Sequence, residues 1–172
     1  MPRTTAFIHP SIFRLIIISI TLSCLSIVSC KEDETCTTET CSNGSCSTGT
    51  CVCSNGFEGS ACDTEQRAKF LGLFSFSENC DGSLFNYNAS IGKGTSVDGV
   101  ILYDFYALPN TTITARVYGQ NITIPQQTIV HDGNEYSING SGSISGRVLT
   151  LNYTMDTPNK TDLSCSATGQ KQ

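Results

Sequence analysis

The chain has 172 residues, enough for one ordinary domain or for a small domain followed by a modest one. Ten cysteines argue against a reduced cytosolic protein of this size, and a formal charge of −5 with no basic cluster argues against a nucleic-acid partner. Tryptophan is absent, and fifteen glycines among many Ser, Thr and Asn favour turns and short strands over helices.

Residues 1–29 read as an export signal. Arg3 and Arg14 supply a positive n-region, and Leu15 to Val28 form an uncharged, nearly unbroken apolar run ending among the small residues Ser26 and Ser29. That run is shorter than the about 20 residues a membrane-spanning helix needs. Where it ends, Ile27-Val28-Ser29-Cys30 resembles the bacterial lipobox. The resemblance implies cleavage before Cys30, a diacylglycerol on its thiol and usually a further acyl chain on its amine. Cys24 would leave with the leader. Buried methylenes contribute about 0.8 kcal/mol each, so several chains anchor a protein essentially permanently. Residues 30–35 form an acidic linker, and Lys31-Glu32-Asp33-Glu34 within it resembles the Lys-then-acidic export signal of surface-exposed lipoproteins in Bacteroidota. The expected location is therefore the bacterial outer membrane, facing outward, with the membrane as a partner through the lipid. Loss of Arg3 and Arg14 leaves 8 basic against 15 acidic residues, a formal −7 that disfavours contact between folded domains and anionic headgroups.

Eight cysteines remain. Six lie close together at Cys36, Cys41, Cys46, Cys51, Cys53 and Cys62, spaced C-x4-C-x4-C-x4-C-x-C-x8-C. The only large apolar side chain among them is Phe57, with Val52 nearby, so crosslinks rather than a core must hold this segment. Spacing alone leaves fifteen pairings open. Zinc is disfavoured, because no histidine lies near and an exported protein meets oxidants first. The spacing, together with the turn Gly56-Phe57-Glu58-Gly59, resembles an EGF-like module over residues 36–62. The resemblance implies the bonds Cys36–Cys46, Cys41–Cys51 and Cys53–Cys62. Calcium-binding modules of that family carry Glu or Gln where Thr35 stands, and an Asn or Asp that residues 47–50 lack. Neither a metal nor a cofactor is expected. The last pair, Cys80 and Cys165, would close a loop of about 85 residues, worth about 4–5 kcal/mol in the chain-entropy model.

From residue 67 to 172 the apolar period becomes two. Ile113, Ala115 and Val117 alternate with polar neighbours, as do Phe85–Ile91, Leu149–Met155 and Leu163–Ala167; Phe70–Phe76, Val100–Tyr106, Ile122–Ile129 and Tyr136–Ile144 complete eight predicted strands. Turn chemistry at Asp81-Gly82, Gly92-Lys93-Gly94, Pro109-Asn110, Gly119-Gln120, Asp132-Gly133, Ser145-Gly146 and Pro158-Asn159 separates them. The fold class is mostly β: a disulfide-rich module, then an eight-stranded antiparallel up-and-down barrel or a curved sandwich. Cys80 shares the inward parity of Phe74 and Phe76, and Cys165 is inward on the last strand. A bond between them would tie first strand to last, as closure requires. Lys69-Phe70-Leu71-Gly72 entering a first strand resembles lipocalin-like barrels faintly, without that family's tryptophan. Taken whole, the chain resembles Bacteroidota surface lipoproteins that join a lipobox, an acidic spacer, one EGF-like module and a β domain. Arg67-Ala68-Lys69-Phe70-Leu71-Gly72, Ile122-Thr123-Ile124-Pro125-Gln126-Gln127 and Thr168-Gly169-Gln170-Lys171 carry that likeness.

Candidate chemistry is sparse. His131, the one histidine of the mature chain, reads as an exposed turn residue beside Asp132. Glu78 has inward parity but is expected to be solvated near a strand end. Asp104 interrupts an apolar run and reads as facing water on a strand or marking a polar contact in a pocket. Tyr103, Phe105 and Tyr106 read as packing residues or part of a binding surface. Asn-x-Ser/Thr triplets at Asn43, Asn88, Asn110, Asn121, Asn139, Asn152 and Asn159 read as by-products of Asn- and Thr-rich strands. The expectation is a lipid-anchored, non-catalytic interaction or structural module for a protein, glycan or small apolar ligand. The alternatives are a barrel hydrolase or isomerase, and a secreted eukaryotic EGF-domain protein.

Overall fold

The structure, a computed structural model, describes Cys36 and residues 40–172. The expected export signal, the expected lipid attachment at Cys30 and the acidic segment after it lie outside the described residues. Twelve strands run through the described part, with no α-helix among them and only two short 3-10 turns. No described helix is long and apolar enough to cross a membrane.

The cysteine-rich segment folds as two small hairpins. Strand β1 (Gly44–Ser47) pairs antiparallel with β2 (Thr50–Cys53), and β3 (Phe57–Glu58) with β4 (Thr64–Glu65). Cys36 is bonded to Cys46, Cys41 to Cys51 and Cys53 to Cys62. Its fully buried apolar side chains are cysteines themselves, Cys41 and Cys62. The crosslinks occupy the place that a core would fill.

The second half is a closed barrel of eight strands: β5 (Gly72–Cys80), β6 (Ser83–Lys93), β7 (Gly99–Tyr103), β8 (Thr112–Tyr118), β9 (Asn121–His131), β10 (Asn134–Ser145), β11 (Val148–Thr157) and β12 (Lys160–Lys171). Each strand pairs antiparallel with the next, and β12 returns to β5. The barrel therefore replaces the sandwich alternative, and no sheet edge is left open. Period-two alternation puts Phe74, Leu102, Ile113, Ile122, Ile138, Leu149 and Met155 inside without exposure. Eight strands enclose a space that side chains can fill, and here Phe70, Phe74, Phe76 and Phe105 fill it.

Closure is stapled. Cys165 stands directly opposite Cys80 across the β12–β5 seam and is bonded to it, with 4.1 Å between the Cα atoms. Two glycines allow close approaches between neighbouring strands. A Cβ at Gly169 would meet the Phe76 ring at 2.5 Å, and one at Gly140 would meet the Tyr153 Cβ at 2.3 Å.

Two predicted strands have different limits. The first begins at Gly72, because Gln66–Lys69 form a 3-10 turn capped by Phe70, and it runs on to Cys80. The turn is pinned by Arg67, only 7% exposed, whose Nη1 donates to the carbonyls of Gly94, Ser96 and Gly99 at 2.9, 2.7 and 3.1 Å. The third strand stops at Tyr103 rather than Tyr106, because Asp104, Tyr106 and Ala107 adopt left-handed backbone conformations (φ 58°, 59° and 52°) that no strand accommodates.

The meander sorts the connections into two ends. Residues 94–98, the β8–β9 and β10–β11 turns and both termini of the barrel chain share one end with the disulfide module. There Gln66 Oε1 accepts from the Gly119 N–H, and Lys171 Nζ donates to the Lys69 carbonyl. The β5–β6, β9–β10 and β11–β12 hairpins and residues 104–111 form the opposite mouth.

Candidate functional site

That mouth holds the one acid among the buried described residues. Glu78 has inward parity on β5, and because the strand continues two residues past it to Cys80, its side chain is enclosed (1% exposed). The expectation of a solvated Glu78 is corrected. Tyr87 from β6 donates to Oε2 at 2.6 Å, and the Tyr153 hydroxyl from β11 donates to Oε1. The Cys80 sulfur lies 3.1 Å from Oε1, but it is bonded to Cys165 and has no proton to offer.

Burial pushes the Glu78 carboxyl above its ordinary range, against the lowering effect of the hydrogen bonds from Tyr153 and Tyr87. Both phenols are pushed well above their ordinary value, first by burial and then by the Glu78 charge. They serve as donors and not as bases. Glu78 has no cationic neighbour within ion-pairing distance among the described residues.

Aromatic rings surround this carboxyl. Phe76 stacks on Tyr87 with centroids 5.3 Å apart, and Phe85 stacks on Tyr87 at 5.9 Å. Phe105 enters from the short 3-10 turn Phe105–Ala107 and is wholly buried, edge-on to Phe76 at 5.6 Å and to Tyr87 at 5.8 Å, and tilted against Tyr153 at 5.4 Å. Tyr106 meets Phe85 edge-on at 5.3 Å. Tyr103, by contrast, stays on the outside, more than one third exposed.

The remaining candidates do not converge on Glu78. Asp104 is an exposed loop residue, and its Oδ1 accepts from the Asn110 N–H at 2.8 Å, which closes the loop that delivers Phe105. His131 is the last residue of β9, half-buried, with Nε2 3.4 Å from Asp132 Oδ2 at the tip of the β9–β10 hairpin. Two clusters have metal-ligand proximity: Cys36, Cys41 and Cys51, and Glu78, Cys80 and Cys165. Every cysteine in them is in a disulfide, so no thiolate is present to bind a cation.

A second feature lies on the outer wall. Asn86, Ser77, Thr168, Thr150 and Ser143 form one exposed row across β6, β5, β12, β11 and β10, each directly opposite the next. Asn79, Ser166, Asn152 and Ser141 form the row beside it. These nine positions carry no charge. A shallow depression of about 530 Å³ opens where Asn79, Asn152 and Ser166 meet Asn139, Thr154 and Ser164, with Asp81 also in its lining, and another of about 580 Å³ lies over Ser77, Asn86 and Thr168. The nearest charges on the hairpin rim, Asp81 and Lys160, are paired at 2.5 Å.

Period-two parity, carried to the end of β5, points to Glu78 as an inward acid; the matching parity of Tyr87 and Tyr153 points to its partners. The contribution of Phe105 has no such signal, because it rests on a break in the strand. No family model matches the chain, and no curated protein matches it.

Proposed function

We propose that this chain is a lipid-anchored, surface-displayed, non-catalytic binding module that uses its outer barrel wall to hold a neutral glycan. The observation that carries the reading is the uncharged double row across five strands. Its hydroxyl and amide groups recur at the strand spacing of about 4.8 Å, close to the advance per residue of an extended hexose chain. An uncharged, hydroxyl-rich polymer can exchange its water hydrogen bonds for this lattice without stripping an ion, whereas a charged ligand would find no counter-charge along the two rows, and the rim charges Asp81 and Lys160 are already paired with each other. The disulfide module supports the reading as a compact spacer next to the chain's anchored end, with the lipid on Cys30 as the membrane partner. Glu78 supports the non-catalytic part, since its two neighbours are phenols held protonated.

Two measurements test it. Mass spectrometry of the mature N-terminus should find an acylated Cys30; an unmodified terminus overturns the anchor. On a glycan array the mature protein should retain neutral glycans, and Asn152→Asp with Thr168→Asp should weaken them at least tenfold without changing the thermal melt. Retention of anionic glycans alone, or an unchanged signal in the variant, overturns the wall as the site.

A further inference from the structure

We propose that the barrel mouth opposite the disulfide module is a closed binding site for a small organic ammonium ion, with Phe105 as the plug that a ligand displaces. This is independent of the wall and of the glycan reading. The two tyrosines that flank the Phe105 ring are the same two that hold the Glu78 carboxyl.

Phe105 does not belong to a strand. It rides on a segment in which Asp104, Tyr106 and Ala107 all have positive φ, a conformation that disfavours residues with a Cβ and persists only where the surroundings enforce it. The segment is held by hydrogen bonds of its own and one to the barrel: Asp104 N–H to the Thr111 carbonyl, Leu108 N–H to the Phe105 carbonyl, the Thr111 hydroxyl to the Leu108 carbonyl at 2.7 Å, the Asn110–Asp104 contact already described, and the Tyr106 backbone to the Tyr87 hydroxyl. Swinging it outward relaxes the backbone and withdraws the ring without breaking any strand pairing. The space vacated is walled by Phe76, Tyr87 and Tyr153, with Glu78 on its polar side.

The chemistry of that space selects a cation. Aromatic faces attract ammonium groups, most strongly where water is excluded. An ionised carboxylate offers about four acceptor positions, and the tyrosines use two of them. Burial disfavours the charged form of Glu78, a cation beside it would restore that form, and the described residues provide none. The chain thus supplies a carboxyl that an arriving ammonium ion can hold in its charged form, together with an aromatic surround. An ammonium ion bearing one ring takes the place of the Phe105 ring and supplies the missing charge.

Calorimetric titration of the full mature protein with phenethylammonium, 2-phenylethanol and 3-phenylpropanoate tests this. The ammonium ion should bind at least tenfold more tightly than the alcohol, and the carboxylate should not bind. Phe105→Ala should tighten ammonium binding at least tenfold, since no ring has to leave. In that background Glu78→Gln should erase the preference for ammonium over alcohol while alcohol binding persists. Equal binding of ammonium and alcohol to Phe105→Ala overturns the proposal, and so does absence of ammonium binding to that variant. Both outcomes are read without the Glu78 variant, so its folding does not limit the test.

Discussion

The two halves of the described chain are held together by different physics. From Cys36 to Glu65, three disulfides close loops of 9 or 10 residues, and the buried apolar side chains are two of the bonded cysteines. From Phe70 onward, more than twenty apolar side chains from all eight strands share one core, and a single disulfide closes the seam. The first half is covalent where the second is hydrophobic. A short segment with one phenylalanine cannot bury enough surface to offset its chain entropy, whereas a hundred-residue barrel can.

Reduction is the largest lever on that difference. Thiol treatment should unfold residues 36–65 completely, because each small loop loses about 2–3 kcal/mol of crosslink stabilisation. The barrel should keep its β-sheet circular dichroism in the same sample. Simultaneous loss of both signals would show that the module and barrel form one cooperative unit.

A smaller effect is expected from Cys80→Ala with Cys165→Ala. Releasing an 85-residue separation should cost about 4–5 kcal/mol in urea unfolding, yet leave a folded barrel under mild conditions. Failure to fold at all would mean that the seam, and not the core, holds the strands.

The smallest effect is a pair of opposite pH dependences. Glu65, beside the module–barrel junction, is held at about 2 by hydrogen bonds from Arg67 and Lys93, so its contribution is present above the ordinary 4.5 and lost as pH falls toward 2. Glu78 is raised, so its contribution has the other sign: barrel stability falls as pH rises from 4.5 through the folded-state value. Urea midpoints followed across this range should show both slopes. Glu65→Gln should flatten the acid limb and Glu78→Gln the other; a Glu78→Gln variant that keeps the wild-type slope would place the raised group elsewhere.

How far the sequence could be read follows the same division. Strand count and meander order were legible because each strand has one wet and one dry face, and parity needs only the neighbours in sequence. Inward parity at Cys80 and Cys165 likewise pointed to a closed barrel. Parity also placed Glu78 inward, but whether it met water depended on where β5 ended, which pairing with β6 and β12 decides. The break at Asp104 was illegible for a related reason. Val100 to Tyr106 reads as one apolar run, and nothing local shows that three of its last residues and the alanine after them form a turn that sends Phe105 inward.

By itself, then, the sequence determined that this is a mostly β protein with a crosslinked module ahead of eight alternating strands, because alternation and cysteine spacing are local properties. Only the tertiary structure decided that one carboxyl is enclosed by two phenols, that Phe105 fills the space beside them, and that uncharged side chains from five strands align into rows. Each of these depends on cross-strand register, and register is set by pairing between residues far apart in the chain.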